Sequence, residues 1–459
     1  MFEVAPRRDS RSATVPGAES ATVTETAYNE FAMRVVLIDL HPHSSPVTPI
    51  SLANIAAVVR RCGHQAELLS LSSGRPFSPA ALEAYLTDTR PALVGFTAYQ
   101  RNFFQIRAIA RMAKKASPGC RVVIGGPQAS FLPEQALAAL PELDFVGRGE
   151  GELVIGAVLD AMAGGSIDEA VPGTSTRVDD VTWLRGAPVP PADDLDAYPS
   201  PWLDGVLDPA DWDEAIMLTS RGCPHHCAFC VTPAAFGPTI RSHSVERVID
   251  EISVVAATGG GRLWFADPNF SYDADRVHQI LEGIARRDLK VGMWIETRAD
   301  MLTPELLRLL ARAGVHTVAL GLESAVPRVL DRSGKAIEPE SIRRAAVTAL
   351  DAGIDVELFS QYGLPGETRA DALTTLDFVK KCGVSVRGNS NAQQMQLYFG
   401  SAIIRNPRAH GILPLRNDLP PYLALGDEFE TEWMSRREMD EIRAAWGAAS
   451  TDGGKRIVS

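Results

Sequence analysis

Three cysteines crowd into the segment Arg221-Gly222-Cys223-Pro224-His225-His226-Cys227-Ala228-Phe229-Cys230, with three residues between the first pair and two between the second. An apolar run at 215–218 leads into them and predicts a buried strand. The thiols therefore belong to a loop at the carboxyl end of a strand, where α/β sheets keep their chemistry. Three thiolates are one short of a closed structural zinc site. His225 or His226 could supply a fourth ligand, but His226 adjoins Cys227, and neighbouring residues rarely both reach one tetrahedral centre. A disulfide would leave one of the three cysteines over, and no secretory signal accompanies them. The other reading is a four-iron, four-sulfur cluster. Held by three cysteines, it leaves one iron open to the amine and carboxylate of a small molecule.

The elements that must position this loop follow from the rest of the chain. Its 459 residues exceed one ordinary core, so two or three domains are expected. With 45% hydrophobic and 22% charged residues the composition is that of a soluble globular protein. The net charge of −12 argues against a nucleic-acid partner, which needs a basic face. No apolar run approaches the roughly 18 residues that span a bilayer, and the first 32 residues lack the apolar core of a signal peptide. Six cysteines, three of them in one loop, fit a reducing cytoplasm. Cys62, Cys120 and Cys382 are scattered and are expected to be small buried hydrophobes.

Residues 1–32 show no apolar periodicity and are expected to be a disordered tail. Over 33–163, apolar strands near 35–40, 66–69, 92–96, 122–124 and 145–146 alternate with helical stretches. That pattern predicts a Rossmann-like, doubly wound parallel sheet. A Gly-x-Gly-x-x-Gly fingerprint after its first strand is absent, which argues against NAD. The stretch 164–213 is rich in Pro, Gly and Asp, with a short hairpin candidate near 181–184, and reads as a linker. Over 214–400 a strand–helix unit recurs to give about six parallel strands, a partial (β/α)6 barrel rather than the full eight. Residues 401–459 include a helical stretch near 433–446, expected to cover the barrel's open side or to shape a substrate pocket.

Working groups gather at the carboxyl ends of barrel strands. There the sequence places Asp267-Pro268-Asn269-Phe270, then Glu296 and Arg298, then Gly321, Glu323 and Ser324, then Tyr362-Gly363-Leu364-Pro365-Gly366-Glu367-Thr368. Ribose hydroxyls and an ammonium call for acidic partners, and a carboxylate calls for arginine. The plainer alternative is an Arg298–Glu323 ion pair at a barrel rim.

The cysteine spacing, the Gly-x-Glu-Ser end and the Gly-Leu-Pro-Gly-Glu-Thr loop resemble those of radical S-adenosylmethionine (radical SAM) enzymes. The segments 46–57, 95–101, Gly125-Gly126-Pro127-Gln128 and 147–152 are similar to the cobalamin-binding domain that precedes many such barrels. The resemblance implies a 4Fe-4S cluster on Cys223, Cys227 and Cys230. It implies S-adenosylmethionine beside Glu296, Arg298, Glu323 and Ser324, with Phe229 near the adenine and the Asp267–Asn269 turn at the amine. It implies cobalamin against Gly125, Gly126, Pro127, Gln128, Gly147, Gly149 and Glu150. Asp39-Leu40-His41 begins like the Asp-x-His-x-x-Gly motif, but Ser44 stands where its glycine belongs, so cobalamin without that histidine ligand is expected. The activity implied is C-methylation of an unactivated carbon in a small-molecule or carrier-bound natural product, such as an antibiotic intermediate. A reducing partner such as flavodoxin or ferredoxin would supply electrons. Ring contraction, cyclisation or oxidation is the alternative outcome. A non-enzymatic cobalamin or metal sensor would not need the acidic and basic strand ends.

Overall fold

The computed structural model describes residues 32–41, 48–72, 78–165, 167, 169–258, 261–387, 391–416 and 418–450. The expected tail at 1–31 and the departure at Ser44 lie outside the described residues.

In the first lobe, β1 (Arg34–His41), β2 (Gln65–Ser72), β3 (Leu93–Thr97), β4 (Arg121–Gly125) and β5 (Phe145–Gly147) form a parallel sheet in the order β2-β1-β3-β4-β5. Successive residues of β1 feed two separate cores. Val36 and Ile38 pack with Phe103, Ile106 and Leu82 from the helices Phe103–Ala116 and Pro79–Thr89. Val35 and Leu37 pack with Leu52, Val59, Val158 and Leu159 from Ile50–Arg61 and Gly151–Gly164. A strand packed on both faces against apolar helices reads as a near-continuous apolar run, which is why 35–38 was readable. The sheet does not stop at β5. β6 (Thr174–Arg177) and β7 (Trp183–Arg185) add to it antiparallel, within the stretch read as a linker. Thr174, Ser175 and Thr176 are fully buried, with the Thr174 hydroxyl donating to the Val171 carbonyl at 2.9 Å. A strand of buried hydroxyls carries no apolar signal. Cys120 and Cys382 are buried as expected, whereas Cys62, at the end of its helix, is exposed.

The second lobe begins with β8 (Ala215–Met217). A short antiparallel pair, β9 (Ser220–Arg221) and β10 (Arg241–Ser242), brackets the cysteine loop. β11 (Arg262–Phe265), β12 (Gly292–Thr297), β13 (Val315–Glu323), β14 (Asp355–Tyr362) and β15 (Ala392–Gln394) complete a parallel six-stranded sheet, β8-β11-β12-β13-β14-β15, the expected partial barrel. Leu263, Phe265, Met293, Ile295, Val318, Leu320 and Leu358 face the outer helices and are buried with Val248, Ile280, Leu310, Ile342 and Leu376. The alternate residues Trp264, Trp294, Glu296 and Phe359 face the lumen and are only half-buried.

The C-terminal segment closes the open edge. A hairpin of β16 (Ile412–Pro414) and β17 (Phe429–Thr431) leads to the helix Arg436–Ala448, which packs on β15 and on the helix Arg369–Lys381. Gln394 on β15 donates to the Asp427 carbonyl at 3.0 Å. The edge strand is thereby covered rather than left as a template for pairing.

Candidate active site at the lobe interface

The cysteine loop is held by its backbone. Gly222 has φ of 100°, and a Cβ there would lie 2.1 Å from the Thr239 carbonyl oxygen, so only glycine fits. The Cys223 amide donates to the Gly237 carbonyl at 3.1 Å and the Cys230 amide to that of Cys227 at 3.0 Å. The Ala228 amide donates to the Ser333 carbonyl at 2.8 Å, and the Ala228 carbonyl accepts from Ile403 at 3.1 Å. The Thr232 amide points at the Cys230 sulfur, 3.4 Å away. All three thiols are free and partly exposed. Burial pushes the Cys223 thiol up and that of Cys227 to about 11, while Arg298 and Lys335 pull both down. Two cations beside three thiolates suit an anionic cluster. Among the described residues no three His, Cys, Asp or Glu side chains converge on a single ion. It is compatible with a cluster, in which each thiolate takes its own iron.

The strand-end residues divide into braces and presented groups. Asp267 is fully buried and accepts from the Thr219 amide and hydroxyl, each at 2.5 Å, and from the Ser220 amide at 3.0 Å. Its carboxyl is raised by burial, against the pull of those donors and Arg276. It ties the end of β11 to the backbone entering the cysteine loop. Asn269 accepts from the Thr297 hydroxyl at 2.8 Å and the Arg298 amide at 3.2 Å, and its amide nitrogen is buried without a partner. Ser324 is fully buried, with its hydroxyl accepting from the Val326 amide at 3.3 Å. Glu367 accepts from the amides of Gly363 (2.8 Å) and Leu364 (3.2 Å), a loop brace that burial pushes up to about 8.

The plain Arg298–Glu323 ion pair is not formed. Arg298 forks onto Asp300 at 3.0 and 2.7 Å and donates to the Ala336 carbonyl at 2.9 Å. Glu323, with φ of 61° at a register shift in β13, accepts from Lys335 at 2.8 Å and Gln361 at 2.7 Å. Gly321 makes room for this, since a Cβ would lie 2.4 Å from the Lys335 Nζ. Phe229 packs half-buried on the barrel core, and Glu296 projects into the lumen.

Between the lobes lies a cavity of about 240 Å³. Gly125, Gly126, Pro127, Gly147, Gly149 and Glu150 line it from the sheet lobe, and Leu218, Arg221 and Phe236 from the barrel. A Cβ on Gly125 would meet nothing within 4 Å, whereas one on Gly126 would lie 2.9 Å from Thr97. Glycine backbone among apolar walls such as Leu37, Ile55 and Val154 suits a broad, flat, partly apolar cofactor. Gln128 lies outside this lining, buried with both amide atoms unpartnered. The Glu150 carboxylate faces the protein: Arg241 donates to it at 2.7 Å, Tyr198 at 2.7 Å, and Arg221 lies 3.3 Å away. Burial acts to raise it, but Arg241, Arg221 and Tyr198 prevail and hold it below the usual carboxylate range. Glu152 takes both terminal nitrogens of Arg221, whose guanidinium also lies over the rings of Tyr198 (5.3 Å) and Phe236 (5.9 Å). Two carboxylates, Glu150 just before the helix Gly151–Gly164 and Glu152 in its first turn, thus clasp two arginines from the hairpin that brackets the cysteines. Arg241 and Tyr198 were not singled out from sequence; Arg221 and Glu152 lie in the quoted segments 221–230 and 147–152, but were given no role there.

A half-open barrel with a three-thiol loop at its mouth, under a sheet lobe with a glycine-lined cavity, defines a cluster-bearing barrel enzyme with a separate cofactor lobe. The family model of the radical SAM superfamily matches residues 217–379, and that of the B12 binding domain matches residues 38–159. An uncharacterized methyltransferase of Pyrococcus horikoshii is 32% identical over 344 residues, covering 73% of this chain and 74% of that protein. The anaerobic magnesium-protoporphyrin IX monomethyl ester cyclase of Rubrivivax gelatinosus is 29% identical over 73% of this chain, which spans 63% of that protein. The structure of the methyltransferase TsrM from Kitasatospora setae with cobalamin and a [4Fe-4S] cluster bound shares the fold, with a TM-score of 0.73 and 20% identity over 93% of this chain and 90% of that one. The chain belongs to the cobalamin-dependent radical SAM enzymes of the methyltransferase-like kind. Its cofactors are a [4Fe-4S] cluster, S-adenosylmethionine and cobalamin, and the thiols and glycine loops present suit them. No helix among the described residues is long and apolar enough to cross a membrane.

Proposed function

We propose that the chain is a C-methyltransferase acting on an unactivated carbon of a small natural-product intermediate, free or carrier-bound. When bound, the cluster with S-adenosylmethionine supplies one-electron hydrogen removal from a carbon that has no acidic proton, and cobalamin supplies the methyl group. Cys223, Cys227 and Cys230 hold the cluster. Arg298 and Glu323, at adjacent strand ends, orient the methionine and ribose parts of S-adenosylmethionine. The glycine loops after β4 and β5 hold cobalamin by backbone, without a histidine beneath the cobalt. A flavodoxin- or ferredoxin-like protein in the cytoplasm delivers the electrons. The observation that carries this reading is the Glu150/Glu152–Arg221/Arg241 clasp. It joins the corrinoid-side loop directly to the hairpin around the thiols, and two cofactor sites that serve one substrate in turn need such a fixed relation. The methyltransferase relative supports the outcome.

The test is incubation of anaerobically reconstituted protein with methyl-labelled S-adenosylmethionine, a reductant and extracts of cells lacking the gene. A labelled, homologated metabolite is expected. An unlabelled, rearranged product would favour ring closure, the reading supported by the cyclase relative.

A further inference from the structure

The loop that joins β16 to β17 does not stay with the barrel. Its ends are pinned there: the Leu415 amide donates to the Glu428 carbonyl at 3.1 Å, and the Leu397 amide to that of Gly426 at 2.9 Å. Between these points the chain reaches across to the sheet lobe. Tyr422 is 3% exposed and packs within that lobe's core. Its ring lies 5.4 Å from Phe103 and 6.2 Å from Phe104, at the start of the helix Phe103–Ala116. Its hydroxyl accepts from Arg107 at 2.9 Å. Pro420 and Pro421 stiffen the chain directly ahead of it. A loop this long, with no strand or helix of its own, is uncommon in a compact domain and is often a lid.

The contact flanks the glycine-lined cavity. Tyr99 and Ser130 line that cavity, and the residue after each touches the C-terminal segment. The Gln100 amide donates to the Leu397 carbonyl, and its side-chain oxygen lies 3.1 Å from where a Cβ on Gly426 would stand. The Phe131 ring lies 2.4 Å from where one on Gly400 would stand. On the opposite flank Glu150 and Glu152 line the cavity and hold Arg221 and Arg241. The cavity therefore lies between two interlobe joints, and they differ in kind. Parting the clasp strands two buried carboxylates and two buried guanidiniums. Parting the loop bares one ring and its neighbours, while Arg107 keeps the Glu142 carboxylate that it holds at 3.0 and 3.2 Å. The tyrosine joint is the one that opens more readily.

We infer that residues 418–428 are a latch on the corrinoid cavity. With Tyr422 seated they fix the lobes over the cofactor, and unseating Tyr422 opens a way in and out for a broad, flat molecule. The inference rests on the reading above that the glycine loops hold cobalamin. A molecule held between two lobes enters only while one joint is undone. Tyr422 does not line the cavity, so it governs the rates of entry and exit rather than the grip.

The test uses the full-length protein with its cluster reconstituted and hydroxocobalamin as the probe. Loading is followed by the change in cobalamin absorbance, and release by a chase with excess cyanocobalamin. Tyr422→Ala is expected to speed loading and release alike, each about tenfold, with Kd held within about threefold and iron content unchanged. Tyr422→Phe keeps the ring and loses only the Arg107 bond, and is expected to change both rates by about threefold or less. Hydrogen exchange should quicken across 418–428 in the alanine variant and stay as it was in the β9–β10 hairpin, where the clasp holds. Rates indifferent to Tyr422 overturn the latch and make the loop a bystander. Release that quickens without loading overturns it too, since Tyr422 would then be part of the grip. So does faster exchange in the β9–β10 hairpin, which would make the loop a strut of the whole interface. A parent protein that binds no cobalamin refutes the reading beneath the inference, whereas the other outcomes leave that reading standing. Methyl transfer is judged separately by the label.

Discussion

On the proposed function, Gly222 and Cys227 serve the cluster for different reasons, and their variants should differ accordingly. If Cys227 holds the cluster as proposed, replacing it by alanine removes a ligand at the cost of one sulfur atom's packing. Iron and sulfide content and the broad cluster absorption should be lost on reconstitution, while cobalamin binding persists. Gly222→Ala instead forces a Cβ against the Thr239 carbonyl at positive φ, at a strain of about 1–3 kcal/mol. Melting temperature and cluster content should then fall together. Glu367 offers a pH test. Its folded carboxyl is raised from 4.5 to about 8, so the folded chain holds this proton more tightly than the unfolded one. Its contribution to stability is full below about 4.5 and is lost as pH rises through about 8. Thermal melts at about pH 6 and about pH 9 should show a smaller loss for Glu367→Gln than for the parent; an equal loss would mean that the loop brace does not titrate.

At the scale of elements, what the sequence made legible was whatever depends on apolar periodicity or on local spacing. The run at 35–38 announced a strand because its burial on both faces demands aliphatic side chains, and the thiols announced themselves by proximity. β6 stayed hidden because its buried face is hydroxyl, satisfied by Thr174 and Thr176 bonding to each other at 2.7 Å. Asp267 and Ser324 sit in motif positions, yet their enclosure depends on neighbours 48 and 51 residues away. The interlobe clasp was invisible for the same reason, since Arg221 meets Glu152 across 69 residues. Arg221→Met should be severe: it leaves two buried carboxylates short of a partner, a cost of about 3–5 kcal/mol. Cobalamin affinity and cluster occupancy should drop in the same variant, although Arg221 ligates neither. Retention of both would remove the clasp from the account of how the lobes are joined.

For the whole molecule, the two lobes share one interface, so loading one cofactor should be felt in both. A ligand that binds only the folded state at 100 times its dissociation constant adds about 2.7 kcal/mol. Cobalamin should therefore raise the melting temperature of the cluster-free protein. Hydrogen exchange should slow in the β9–β10 hairpin as well as in the glycine loops; protection confined to the sheet lobe would show that the clasp does not couple them.

The backbone straps from Ala228 to Ser333 and Ile403 have a bearing on life in air. Because these amides and carbonyls fasten the loop to two other parts of the barrel lobe, a molecule stripped of its cluster by oxygen should keep its socket. Repair would then be a matter of supplying iron, sulfide and electrons to a standing mould, with no chain to refold.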